Sequence, residues 1–168
     1  MMELRPYQEQ AVESILGEWD QGHQHTLLVL PTGTGKTVVF SKVVEKEVGK
    51  GEKALILAHR GELLDQASDK LYQTTGLASS LEKAESTSIG SHELVTVASV
   101  QTMCQESRLK KFKKDEFGVI VVDEAHHCMS DSYQRIPWGT GGRLKPPDVP
   151  LRVGISTSAK RIIRFLLL

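Results

Sequence analysis

The chain has 168 residues, with 21 Lys and Arg against 21 Asp and Glu. A chain of this length fits one domain with its own core, burying roughly 70% of its unfolded surface. The zero formal net charge excludes a globally basic nucleic-acid-binding surface, Cys104 and Cys128 are too few for a disulfide framework, and no apolar run reaches the roughly 20 residues of a membrane span.

In chain order, the pattern alternates helix and strand. Tyr7 to Trp19 reads as a helix with Pro6 near its first turn, and Val12, Ile15, Leu16 and Trp19 recur at helical spacing. Thr26 to Leu30 is a short apolar run of the kind buried on both faces of a sheet. Gly35 to Val48 is a second helix, closed by Gly49 and Gly51, and Ala54 to Ala58 a second buried strand. Gly61 to Tyr72 is a helix with Leu63, Leu64, Ala67 and Leu71 on one face. The polar stretch Gly76 to Ser91 has room for an edge strand and a turn. Leu94 to Val97 is a third strand, Glu106 to Glu116 a charged helix or loop, and Val119 to Val122 a fourth strand. Ser130 to Pro150 ends in a loop rich in Pro and Gly, and Leu151 to Ile155 is a fifth strand. Buried strands separated by helices predict right-handed crossovers and a mostly parallel sheet with helices on both faces.

Between the first strand and the second helix lies Pro31-Thr32-Gly33-Thr34-Gly35-Lys36-Thr37. This is the end of a phosphate-binding loop pattern, with Leu30 where the strict form has its first glycine. Gly33 and Gly35 let the backbone curl, so that N–H groups of the loop (Thr32 and Thr34 included) and the positive helix end receive phosphate oxygens. Lys36 supplies a point charge for the β- and γ-phosphates of ATP, and Thr37 a hydroxyl for Mg²⁺. The other half of such a site is an acidic residue at the end of a buried strand. Val119-Ile120-Val121-Val122-Asp123-Glu124 provides it, with Asp123 to hold Mg²⁺ and Glu124 to orient and deprotonate the attacking water.

Asp123-Glu124-Ala125-His126 is a DEAH box, and with the phosphate loop it resembles superfamily 2 DEAD/DEAH-box helicases and translocases. Arg5-Pro6-Tyr7-Gln8 resembles the adenine-reading motif of the branch containing phage helicases and restriction-enzyme translocase subunits. The resemblance implies that Gln8 reads the adenine edge and that Arg5 packs near the base. Ala58-His59-Arg60 matches the motif in which Arg60 contacts the nucleic-acid backbone. Thr96-Val97-Ala98-Ser99-Val100-Gln101-Thr102 resembles the next motif, where Thr96, Ser99 and Gln101 meet phosphates without reading bases. A helix capped at Ser99 explains the same residues as well. His126 is implied to couple the nucleotide site to a neighbouring motif, and so are Ser156 and Ser158. They stand in Gly154-Ile155-Ser156-Thr157-Ser158-Ala159, where the family has Gly-Leu-Thr-Ala-Thr-Pro. Thr157 for alanine and Ala159 for proline are departures that touch this coupling.

Arg108, Lys110, Lys111, Lys113 and Lys114 form a basic run, read first as a solvated face and second as a phosphate-contacting patch. His126-His127-Cys128 has no second ligand cluster at metal-site spacing.

The resemblance implies a RecA-like P-loop α/β domain over residues 1–161, with Leu151 to Ile155 between the phosphate-loop strand and the Asp123 strand. Residues 162–168 are then an atypical apolar tail. The implied function is the motor domain of an ATP-dependent DNA helicase or translocase. Its partners are nucleic acid, DNA favoured over RNA, and a second RecA-like domain in cis or trans. The expectation for this chain alone is nucleotide binding, weak or absent turnover and no processive unwinding. The alternative is a non-enzymatic nucleotide-binding or scaffold module. The opening residues Met-Met-Glu-Leu-Arg-Pro carry no apolar signal region, so the expected location is cytoplasmic or nucleoid-associated, without membrane or secretion.

Overall fold

The structure, a computed structural model, describes residues 3–23, 25–31, 33–58, 62–83, 87–103, 105–109, 111–113, 116–123 and 161–167. The elements run α1 (Pro6–Asp20), β1 (His25–Leu30), α2 (Lys36–Val48), β2 (Ala54–Ala58), α3 (Glu62–Thr75), β3 (Ser79–Glu82), β4 (Val95–Ser99), α4 (Val100–Met103), α5 (Glu106–Leu109), β5 (Val119–Val122) and β6 (Arg161–Leu167). The six strands form one sheet in the order β1-β6-β5-β2-β4-β3, and every neighbouring pair is parallel.

Each helix has a local cause. Pro6 opens α1 where its missing N–H costs nothing. The Gln8 side chain reaches back one turn to accept from the Arg5 N–H at 3.0 Å. Ala11, Val12, Ile15 and Trp19 form the buried face of α1. Along α2, Val39, Phe40, Val43, Val44 and Val48 are buried in the same core. The helices α1, α2 and α3 pack side by side, α2 touching both of the others. The chain moves one way across the sheet from β1 to β2 to β3, and back from β4 to β5 to β6. Right-handed crossovers on these two paths place their connections on opposite faces. Both faces are covered at the centre, because β2, β4 and β5 are buried at every position.

The sheet departs from expectation in one strand. Arg161–Leu167 forms β6, which takes in all but the last residue of the segment 162–168 expected as an apolar tail beyond a domain ending at 161. It fills the slot between β1 and β5, pairing Leu27 with Arg164 on one side and Val122 with Arg164 on the other. The physical reason lies in Ile162-Ile163-Arg164-Phe165-Leu166-Leu167. A run with no alternating polar face suits a parallel strand inside a sheet, where both backbone edges find partners. The strand expected at Leu151 to Ile155 lies outside the described residues.

Gly76 to Ser91 does contain an edge strand, β3. Its last residue, Glu82, is a fully buried carboxylate. It accepts from Arg108 Nη1 at 2.7 Å, the Ser88 N–H at 2.6 Å, Ser88 Oγ at 3.0 Å and Thr87 Oγ1 at 3.1 Å. A buried charge is tolerated when it is paired and hydrogen-bonded in this way.

Candidate nucleotide and nucleic-acid sites

Because all strands are parallel, their carboxyl ends share one edge, the usual ligand-binding side of such sheets. The phosphate loop leaves β1 there, and Asp123 leaves β5 there, one strand away across β6. The Asp123 N–H donates to the Leu57 carbonyl at 3.0 Å, which ties the acidic turn to the end of β2.

The loop has the backbone that its sequence demands. Gly33 and Gly35 stand at φ 79° and 75°, the left-handed region that favours glycine. Between them, Thr34 Oγ1 donates to the Pro31 carbonyl at 2.7 Å. The first helical residue of α2 is Lys36, so the loop runs directly into a helix amino terminus. Thr37 follows within the first turn, half-buried. Curled backbone, helix end, Lys36, Thr37 and a strand-end Asp123 are a donor set that fits a nucleoside triphosphate with Mg²⁺. Among the described residues, no group of three or more His, Cys, Asp or Glu gathers to hold a metal by protein ligands alone. Thr32, Glu124 and His126 lie outside the described residues.

The start of α1 is fastened to this loop. Gln8 is 6% exposed, and its Nε2 donates to the Thr34 carbonyl at 3.0 Å while its Oε1 accepts from the Arg5 N–H. An amide group has two N–H bonds and two lone pairs, so each end of Gln8 keeps one to offer a base. Tyr7, which has no expected role of its own in the Arg5-Pro6-Tyr7-Gln8 motif, donates its hydroxyl to the same carbonyl at 2.9 Å. The exposed Arg5 reaches Tyr7 Oη with Nη1 at 3.5 Å. The sequence signal for Tyr7 was its place between two residues with assigned functions.

The nucleic-acid candidates are less concentrated. Arg60, Ser156 and Ser158 lie outside the described residues. Ser99 stands at the carboxyl end of β4, and its Oγ accepts from the Thr102 N–H at 3.1 Å and donates to Thr102 Oγ1 at 2.7 Å. It is a buried cap of α4. Gln101, in the first turn of α4, is exposed at that edge. Thr96 is not brought to it. It is the second residue of β4, 6% exposed and 3.3 Å from the Ser80 hydroxyl of β3. It lines a cavity of about 160 Å³ at the amino ends of the strands, together with Lys53, Lys111 and Glu116. Within the basic run, Arg108 is turned onto Glu82, whereas Lys111 and Lys113 are exposed.

Residues 1–153 match the family model "Type III restriction enzyme, res subunit". Among curated proteins, the putative ATP-dependent helicase Irc3 of Saccharomyces cerevisiae is 36% identical over 141 residues, 79% of this chain and 20% of that protein. The chain spans about a fifth of the length of the curated relatives that it matches. Among solved structures, phage T4 UvsW superposes with a TM-score of 0.72 at 16% identity, over 98% of this chain and 30% of that one. The Sulfolobus solfataricus SWI2/SNF2 ATPase core in complex with double-stranded DNA gives 0.70 at 17% identity, over 98% and 32%. The fold is thus the RecA-like one of helicase domains, a mostly parallel sheet with flanking helices.

Proposed function

Because this chain belongs to the family of the type III restriction enzyme res subunit, and is an amino-terminal RecA-like domain of superfamily 2 helicase type, we propose that it is the ATP-binding motor domain of a DNA helicase or translocase. The observation that carries this reading is the succession of β1, two left-handed glycines and α2, with Asp123 at the end of β5, beyond the one intervening strand β6. In this reading the loop N–H groups and Lys36 bind the phosphates of ATP, and Thr37 and Asp123 hold Mg²⁺. The ion, when bound, neutralises charge on the phosphates. Glu124, next along the chain, orients water in line with the γ-phosphate and takes its proton. The spare N–H and lone pair of Gln8 match adenine N7 and the adenine amino group, with Arg5 beside the base.

Nucleic acid is the proposed partner, bound along the carboxyl edge by Arg60, Gln101 and the backbone around Ser99. DNA is favoured over RNA because Arg5-Pro6-Tyr7-Gln8 resembles DNA-acting members, and because the SWI2/SNF2 core with this fold was solved on double-stranded DNA. A second RecA-like domain, in cis or trans, completes the motor, since stepping needs two domains that open and close around the nucleotide. His126, Ser156 and Ser158 are proposed to couple the two. Among the described residues no helix is long and apolar enough to cross a membrane, and a cytoplasmic or nucleoid location is part of the proposal.

ATP hydrolysis by this chain, with and without single-stranded and duplex DNA and beside Lys36→Ala, tests the reading. DNA-stimulated turnover that depends on Lys36 supports it. Thr157 and Ala159, which break the family's coupling motif, favour a second reading as a nucleotide-binding module without turnover. Flat rates with intact ATP binding select that module.

A further inference from the structure

The Thr34 carbonyl receives two side-chain donors from α1, Tyr7 Oη at 2.9 Å and Gln8 Nε2 at 3.0 Å. Two donors use both lone pairs of that oxygen. The peptide joining Thr34 to Gly35 is planar and trans, so its C=O and N–H point in opposite directions. Holding the carbonyl toward α1 therefore aims the Gly35 N–H away from α1. At Gly35, φ is 75°, a conformation in which the peptide plane is not fixed by a side chain. Orientation of this donor thus depends on what grips Thr34.

We propose that Tyr7 is a positioning residue for the phosphate loop. Its hydroxyl fixes the Thr34–Gly35 peptide so that the loop presents its N–H groups to phosphate, whatever base is attached. The inference rests on the nucleotide-site reading above and extends it to a residue outside the phosphate loop. Tyr7 suits the task because its hydroxyl spans 27 residues of sequence to reach the loop while the residue stays 38% exposed, so it is not a core residue with an incidental contact. Gln8 has a base to read in that reading with its spare N–H and lone pair, so its amide serves the base and Thr34 at once. The phenol has no such second duty and keeps the carbonyl held.

The test is calorimetric binding of Mg·ATP and of Mg·tripolyphosphate, which has no base, to the full chain, Tyr7→Phe and Gln8→Ala. Tyr7→Phe removes one oxygen from a partly exposed ring, so its melting temperature stays within about 2 °C of the unchanged chain. The expected result is that Tyr7→Phe weakens both ligands by the same factor, about fivefold, the worth of one net hydrogen bond. Gln8→Ala should weaken ATP more than tripolyphosphate. A Tyr7→Phe loss confined to ATP would make Tyr7 a base contact and overturn the inference, as would unchanged binding of both. If the unchanged chain binds neither ligand, the nucleotide-site reading falls and the inference with it.

Discussion

A Cβ placed on Gly35 would stand 2.6 Å from Gln8 Nε2. The left-handed turn of the phosphate loop and the amide of α1 therefore occupy one another's space, and residue 35 has two separate reasons to be glycine. The φ of 75° costs an L-residue roughly 1–2 kcal/mol, and the added methyl also drives Gln8 off Thr34. Gly35→Ala should lower stability by about 2 kcal/mol in urea unfolding. In the double variant with Gln8→Ala the two losses should sum to less than their parts, because the clash is then gone. Full additivity would show that the contact carries no energy.

Glu82 anchors the opposite flank of the sheet. Four donors converge on its buried carboxylate, and Arg108 supplies the charge. Removing it leaves the buried Ser88 N–H without its acceptor and takes the carboxylate from Arg108. Glu82→Ala should cost about 3 kcal/mol, whereas Lys111→Ala, at an exposed position of the same basic run, should stay within about 0.5 kcal/mol. Urea midpoints of the two variants check the contrast.

Ser99 and Gln101 separate structure from contact on one short helix. Ser99 caps α4 through Thr102, so Ser99→Ala should lower stability by about 1 kcal/mol whether or not DNA is present. Gln101 is exposed beside it, and Gln101→Ala should leave the melting temperature alone while weakening DNA binding several-fold at low salt, the cost of one hydrogen bond. Fluorescence anisotropy with a labelled oligonucleotide, paired with thermal melts, distinguishes the two effects.

How much of this was legible in the sequence varies with the kind of signal. The strands Ala54–Ala58 and Val119–Val122 were readable to the residue, because short apolar runs between turn residues have few other uses in a parallel sheet. The loop glycines were readable because a curl of backbone demands them. The segment 162–168 matches no motif expected after Gly154–Ala159 and so reads as a tail, while Leu151–Ile155 is the strand expected in the slot that β6 fills. Which of two apolar segments enters a slot depends on pairing partners distant in the chain, and periodicity says nothing about them. The motif groups Thr96 with Ser99. At about 3.3 Å per residue, however, three strand residues separate them by roughly 10 Å, and the hydroxyl of Thr96 is engaged with Ser80 at the other end of the sheet. The grip of Tyr7 on Thr34 spans 27 residues and has no local signature.

A phosphate-binding site built on Lys36 at the carboxyl edge of the sheet can be examined by calorimetric titration of Mg·ATP into this chain and into Lys36→Ala. Saturable one-to-one binding is expected, weakened by Lys36→Ala roughly ten- to a hundredfold, in keeping with the loss of a charge-assisted phosphate contact. Binding of equal strength by the two proteins, or none by either, would contradict it.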